Sequence, residues 1–114
     1  MSKKEANLYE GMYIVSATLS EEARKKALER IEQGILEMGG EIVKVHDRAR
    51  QRLAYEINGH KEGHYFLIYF KIEPSKISDL WREYHLNEDL IRFITLRTES
   101  VLEEIKFKEL VLQQ

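Results

Sequence analysis

The sequence predicts an α+β domain in which two helices cover one face of a four-stranded antiparallel sheet. Three observations point to it. Strand-like runs, alternating or continuously apolar, occur at Tyr9–Val15, Glu41–Ile57, His64–Phe70 and Leu90–Thr98. Apolar residues at helical spacing fill the gaps after the first and third runs. Between the second and third runs stands Asn58-Gly59, the strongest short hairpin signal.

Each element has a local reason. Leu8 to Ala17 is rich in Tyr, Ile and Val, which suit a pleated, half-buried surface. Thr18-Leu19-Ser20-Glu21 has the form of a capping box, with Ser20 as a rival cap. Glu21 and Glu22 then fall in a first turn, where the helix dipole favours negative charge. Ala27, Ile31, Ile35 and Met38 form one stripe, and Gly34 on the same stripe implies close packing against the sheet. Gly39-Gly40 ends the helix.

Glu41–Ile57 is long for one strand, so a bend or bulge is expected near Ala49. The stretch from Asn58 to Gly63 reads as turn, and His64–Phe70, apolar on both faces, as a central strand. Pro74 and Ser75 open a second helix with a core stripe of Ile77, Leu80, Trp81 and Tyr84. Asn87-Glu88-Asp89 breaks it before the last strand. The order β-α-β-β-α-β is ferredoxin-like, with the first and third strands central and the second and fourth at the edges.

At 114 residues the chain is one domain. Residues 1–7 read as a flexible extension, 8–99 as the folded domain and 100–114 as an apolar C-terminal segment. Val101, Leu102, Ile105 and Phe107, with Leu110 and Val111, are too apolar for a free tail; they pack back or dock a partner protein. With 43% hydrophobic and 33% charged residues the composition is that of a soluble globular protein. No run is long and apolar enough to cross a membrane, no signal peptide is visible, and a cytoplasmic location is expected. Zero cysteines exclude disulfide and thiolate chemistry.

Function points to one stretch. Lys44–Tyr55 carries Lys44, Arg48, Arg50 and Arg52 against Asp47, about +3, inside a chain of net charge −2. In an extended strand Lys44, His46, Arg48, Arg50 and Arg52 share one face, roughly 6–7 Å apart, near the phosphate spacing of one nucleic-acid strand. The competing reading is a cationic edge strand that resists aggregation.

Catalytic chemistry finds no foothold. His60 and His64 have the spacing of a zinc pair, but Gly63 and the turn break the required helix, and no metal or other cofactor is expected. Neither a phosphate-cradling loop nor a nucleophile elbow can be placed. Gly63, Phe66, Leu67 and Tyr69 partly fit the RNA-recognition motif's third strand, whereas Glu62, His64 and Tyr65 depart from it. Core packing accounts better for these aromatics.

Arg50-Gln51-Arg52-Leu53-Ala54-Tyr55-Glu56-Ile57 resembles the second strand of the family of the sixth protein of the bacterial small ribosomal subunit. The resemblance extends from Tyr9-Glu10 through Gly39-Gly40 and Gly63-His64-Tyr65 to Ile91-Arg92 and Arg97-Thr98. It implies the ferredoxin-like fold, no enzymatic activity, and a structural role in the small subunit. It also implies binding to 16S ribosomal RNA in a heterodimer with the eighteenth small-subunit protein. Basic positions of the pattern fall on Arg50, Arg52, Arg92 and Arg97, and aromatic ones on Tyr9 and Tyr55. With Arg48 from the charge row, these are the expected RNA contacts. Glu56 stands in place of the usual Pro, and Ala49 in place of a usual Gly, where a bulge needing positive φ is strained. A lone RNA-recognition-type module and a dimeric ligand-binding protein or enzyme are the alternatives.

Overall fold

The computed structural model describes residues 6–101. The order is β1 (Asn7–Ser16), α1 (Glu21–Glu37), β2 (Glu41–Ile57), β3 (His60–Ile72), a 3₁₀ turn (Pro74–Lys76), α2 (Ile77–His85) and β4 (Leu90–Arg97). The strands lie as β2-β3-β1-β4, and every neighbouring pair is antiparallel. The ferredoxin-like expectation holds, central strands included. Leu102, Ile105 and Phe107, expected to meet a partner, lie outside the described residues, and Val101 is the last residue within them.

Local differences from expectation have local causes. Ser20, not Thr18, caps α1: its Oγ accepts the Ala23 N–H at 3.1 Å, while Thr18 Oγ1 bonds Ser16 Oγ at 2.7 Å. The β2–β3 turn closes on Asn58 and Gly59 alone, with φ of 48° and 83°. Such a turn matches the strand twist, so β3 starts at His60 instead of His64. At the end of α1, Gly39 takes φ 82° and Gly40 N–H donates to the Ile35 carbonyl at 2.9 Å.

Both helices cover the sheet face that carries Tyr9, Tyr13 and Val15 of β1 and Phe66, Ile68, Phe70 and Ile72 of β3. Ala27, Ile31 and Ile35 of α1 and Leu80 and Tyr84 of α2 complete this core. The close packing against the sheet expected of Gly34 is not found: a Cβ there would sit 3.6 Å from Leu80 of α2, an ordinary van der Waals distance, so the position does not require glycine. Two tyrosines bring a polar bond into the apolar layer. The hydroxyls of Tyr13 and Tyr84 are 2.6 Å apart and their rings meet edge to face at 5.2 Å. Residue 11 must be glycine for this, because a Cβ would fall 2.5 Å from the Tyr13 hydroxyl as its ring crosses the strand.

Burial pushes both phenols up, Tyr13 well above its ordinary value. Their contribution to stability is therefore fully present below about pH 10 and falls as pH rises toward the folded values. Urea denaturation should show Tyr13→Phe losing about 1 kcal/mol, with the double Phe variant losing less than the sum of the two single variants. The double variant should also keep more of its neutral-pH stability at about pH 11 than the parent does. Additive effects of the single variants would mean that the two hydroxyls act independently.

Candidate nucleic-acid interface

The candidate interface is governed by how β2 is registered on β3. Ile42 and Val45, opposite Phe70 and Ile68, face the helices; Lys44 and His46, opposite Tyr69 and Leu67, face away. Between the pairs Asp47–Phe66 and Arg50–His64, β2 advances by one residue more than β3. The extra residue is absorbed at Ala49, which adopts φ 66°. Because strand side chains alternate, one inserted residue swaps the faces of those that follow it, here up to the next register shift after Arg52. The expected single row of cations is thus split: Lys44 and His46 lie on the far face, Arg50 and Arg52 on the helix side.

A left-handed conformation at alanine costs about 1–2 kcal/mol relative to glycine. Two features offset it. The Asp47 carboxylate accepts the Ala49 N–H at 2.8 Å, a local turn that aspartate favours. The swap also carries Leu53 to the far face, where it is 7% exposed beside Gly63 and Ile14. Burying a leucine contributes about 1.5–3 kcal/mol. Gly63 makes room, as a Cβ there would collide with Ile14.

Beyond the bulge the hairpin carries the charged groups. Arg50 Nη2 donates to Glu62 Oε2 at 2.7 Å, and both side chains are exposed. The pair holds Glu62 below the usual carboxylate range, with Arg52 adding to the effect, and raises Arg50. Arg52 stands opposite Glu62 in the register and is exposed.

A second group forms on the far face. Arg92 of β4 donates from Nη1 to the Tyr55 hydroxyl at 2.8 Å, which joins two residues singled out in the sequence across the width of the sheet. Tyr65 belongs to the same group. Partial burial raises its phenol, and the positive charges of Arg48 and Arg92 draw it back down. Tyr55 is 63% exposed, so an aromatic face remains open to solvent beside Arg92.

The other residues that the sequence singles out fall elsewhere. Arg48 is only 6% exposed, and its charge acts on the Tyr65 phenol. Tyr9 is buried on the helix side and stacks on Phe70 at 5.7 Å, which gives it a packing role. Arg97 is exposed opposite Tyr9 at the other end of β4's pairing with β1. His64 is taken up by Asp47, Nε2 to Oδ1 2.6 Å, and does not turn toward His60. Sequence reasoning missed Asp47, Glu62 and Tyr65. The Asp47 signal was readable, an aspartate two residues before the bulge; the other two depend on register.

The family model described as ribosomal protein S6 matches residues 8–97. The small ribosomal subunit protein bS6 of Protochlamydia amoebophila is 66% identical over 114 residues, covering 100% of both chains. That of Chlamydia felis is 56% identical over 110 residues, 96% of this chain and 98% of the relative. The crystal structure of 30S ribosomal protein S6 from Thermotoga maritima superposes with a TM-score of 0.78 at 31% identity, covering 96% of this chain and 100% of that one. Family model, relatives and this structure agree: the chain belongs to the ribosomal protein S6 family, whose members are structural, non-enzymatic proteins of the small ribosomal subunit, at work on the ribosome in the cytoplasm.

Proposed function

We propose that the chain binds 16S ribosomal RNA together with the eighteenth small-subunit protein, and that the end of the sheet bearing the β2–β3 hairpin is its RNA surface. The observation that carries this is the convergence of Arg92 and Tyr55 on one face with Arg50 and Arg52 exposed on the other. A two-sided cationic edge suits insertion between RNA segments better than alignment along a single strand. Arg50, Arg52 and Arg92 contact phosphates, and the open Tyr55 ring offers a surface for a base or ribose. Arg48 acts from below, adding potential without direct contact. Arg97 supplies a further phosphate contact along β4, and Tyr9 supports the sheet from the core.

The partner protein meets the apolar end of the chain. Ile94 and Leu96 are 44% and 57% exposed on β4, the strand that leads to Val101. Leu102, Ile105 and Phe107 continue that apolar run in the sequence and complete the proposed contact. A chain of net charge −2 gathers little RNA by general attraction, so much of the phosphate neutralisation falls to the partner.

Filter-binding or calorimetric titration of a 16S central-domain fragment should show weak binding by the chain alone and tight binding with the partner. Equal affinity in both conditions at physiological salt would count against the reading. Replacing Arg50 and Arg52 together by Ala should weaken the ternary complex and flatten its salt dependence, by about one unit of slope for each phosphate that the two arginines neutralise. An unchanged slope would place the arginines away from RNA.

A further inference from the structure

Asp47 does more than its exposed position on an edge strand suggests. One oxygen, Oδ1, holds two groups at once: the Ala49 N–H at 2.8 Å and the His64 Nε2 at 2.6 Å. The first bond is within the bulge and the second reaches the neighbouring strand. His64 is itself fixed, buried on β3 with its ring 4.8 Å from that of Phe66. The bulge is therefore fastened to the core by a single carboxylate.

The position of this fastening decides what it controls. Asp47 is the last paired residue before the extra residue, and Arg50, the first paired one after it, stands opposite the same His64 that Asp47 binds. Were the bulge to close, alternation would carry Arg50 and Arg52 to the face of Tyr65 and draw Leu53 out of its place beside Gly63. Glycine could hold the left-handed conformation unaided, but here the residue is alanine.

We propose that Asp47 is a positioning residue for RNA recognition. Through Ala49 and His64 it locks the bulge that sets the face on which Arg50 and Arg52 are presented. The inference rests on the RNA reading above for its consequence, but not for its geometry. Asp47 is needed because residue 49 is not glycine.

The test uses the full chain with its partner protein and the 16S fragment, comparing the parent with Asp47→Ala, Ala49→Gly and the double variant. Asp47→Ala should weaken RNA binding about tenfold, roughly the worth of two modest phosphate interactions. The double variant should return to within about threefold of Ala49→Gly, because glycine makes the clamp dispensable. Unchanged affinity in Asp47→Ala, or a weakening that glycine does not restore, would overturn the proposal. A second readout is independent of RNA. The strong intraresidue amide-to-Hα NOE that marks positive φ at residue 49 should be present in the parent and absent in Asp47→Ala. Its persistence in Asp47→Ala would overturn the clamp even if the parent proved unable to bind RNA, an outcome that would defeat only the RNA reading.

Discussion

A β-strand has two faces, and one inserted residue exchanges them. That constraint organises the working end of this domain. Along its first half a register shift between Ile42 and Lys44 lets β2 send both Ile42 and Val45 into the helix-side core, with Lys44 and His46 on the far face. Along its second half the helix side is a place for Arg50 and Arg52, while Leu53 is needed on the far side against Ile14 and Gly63. No uninterrupted alternation satisfies both halves. The bulge at Ala49 reconciles them, at the cost of a left-handed alanine that Asp47 and the burial of Leu53 offset.

The remainder of the fold gives that edge something rigid to stand on. β3 is buried along most of its length because it is central in the sheet, and His64 sits near its exposed end with a ring contact to Phe66. On the far side of the sheet Tyr69 donates to Glu10 at 2.8 Å, linking the two central strands through their side chains. Tyr13 and Tyr84 tie β1 to α2 through a bond sheltered from water. A hydrogen bond between two buried hydroxyls adds modestly to stability but makes the packing specific, since any slip would strand both groups.

Much of this was legible in the sequence, and the division follows the range of the interactions. Helix stripes, the Gly39-Gly40 stop, the Asn58-Gly59 turn and the apolar third strand are short-range signals, and each has its counterpart in the structure, except that Trp81 of the second stripe is 40% exposed, its indole N–H donating to Thr95, and that β3 starts at His60. The bulge near Ala49 was legible too, from the length of the strand. Its consequence was not, because whether an extra residue reverses the faces depends on the pairing of β2 with β3. Arg48 shows the same limit: period-2 reasoning aligned it with Arg50, yet it is enclosed while Arg50 is exposed. The meeting of Arg92 with Tyr55 spans all four strands and leaves no local trace.

The Arg50–Glu62 pair bears on how the edge would bind RNA, as proposed, without being strongly basic. Both groups are exposed, and an exposed pair contributes little to stability. Exchanging the Glu62 carboxylate for a phosphate oxygen therefore costs the fold little, while a poorly placed phosphate must displace Glu62 and face its charge. In the proposed RNA contact, Glu62, held ionised by the two arginines, would weaken indiscriminate attraction and leave productive contact to RNA that is correctly oriented. In a chain of net charge −2, the proposed RNA binding would then take its orientation from elsewhere: from the Arg92–Tyr55 surface on the opposite face and from the proposed partner. On that proposal, low intrinsic affinity and a fixed two-sided geometry would be two expressions of one arrangement.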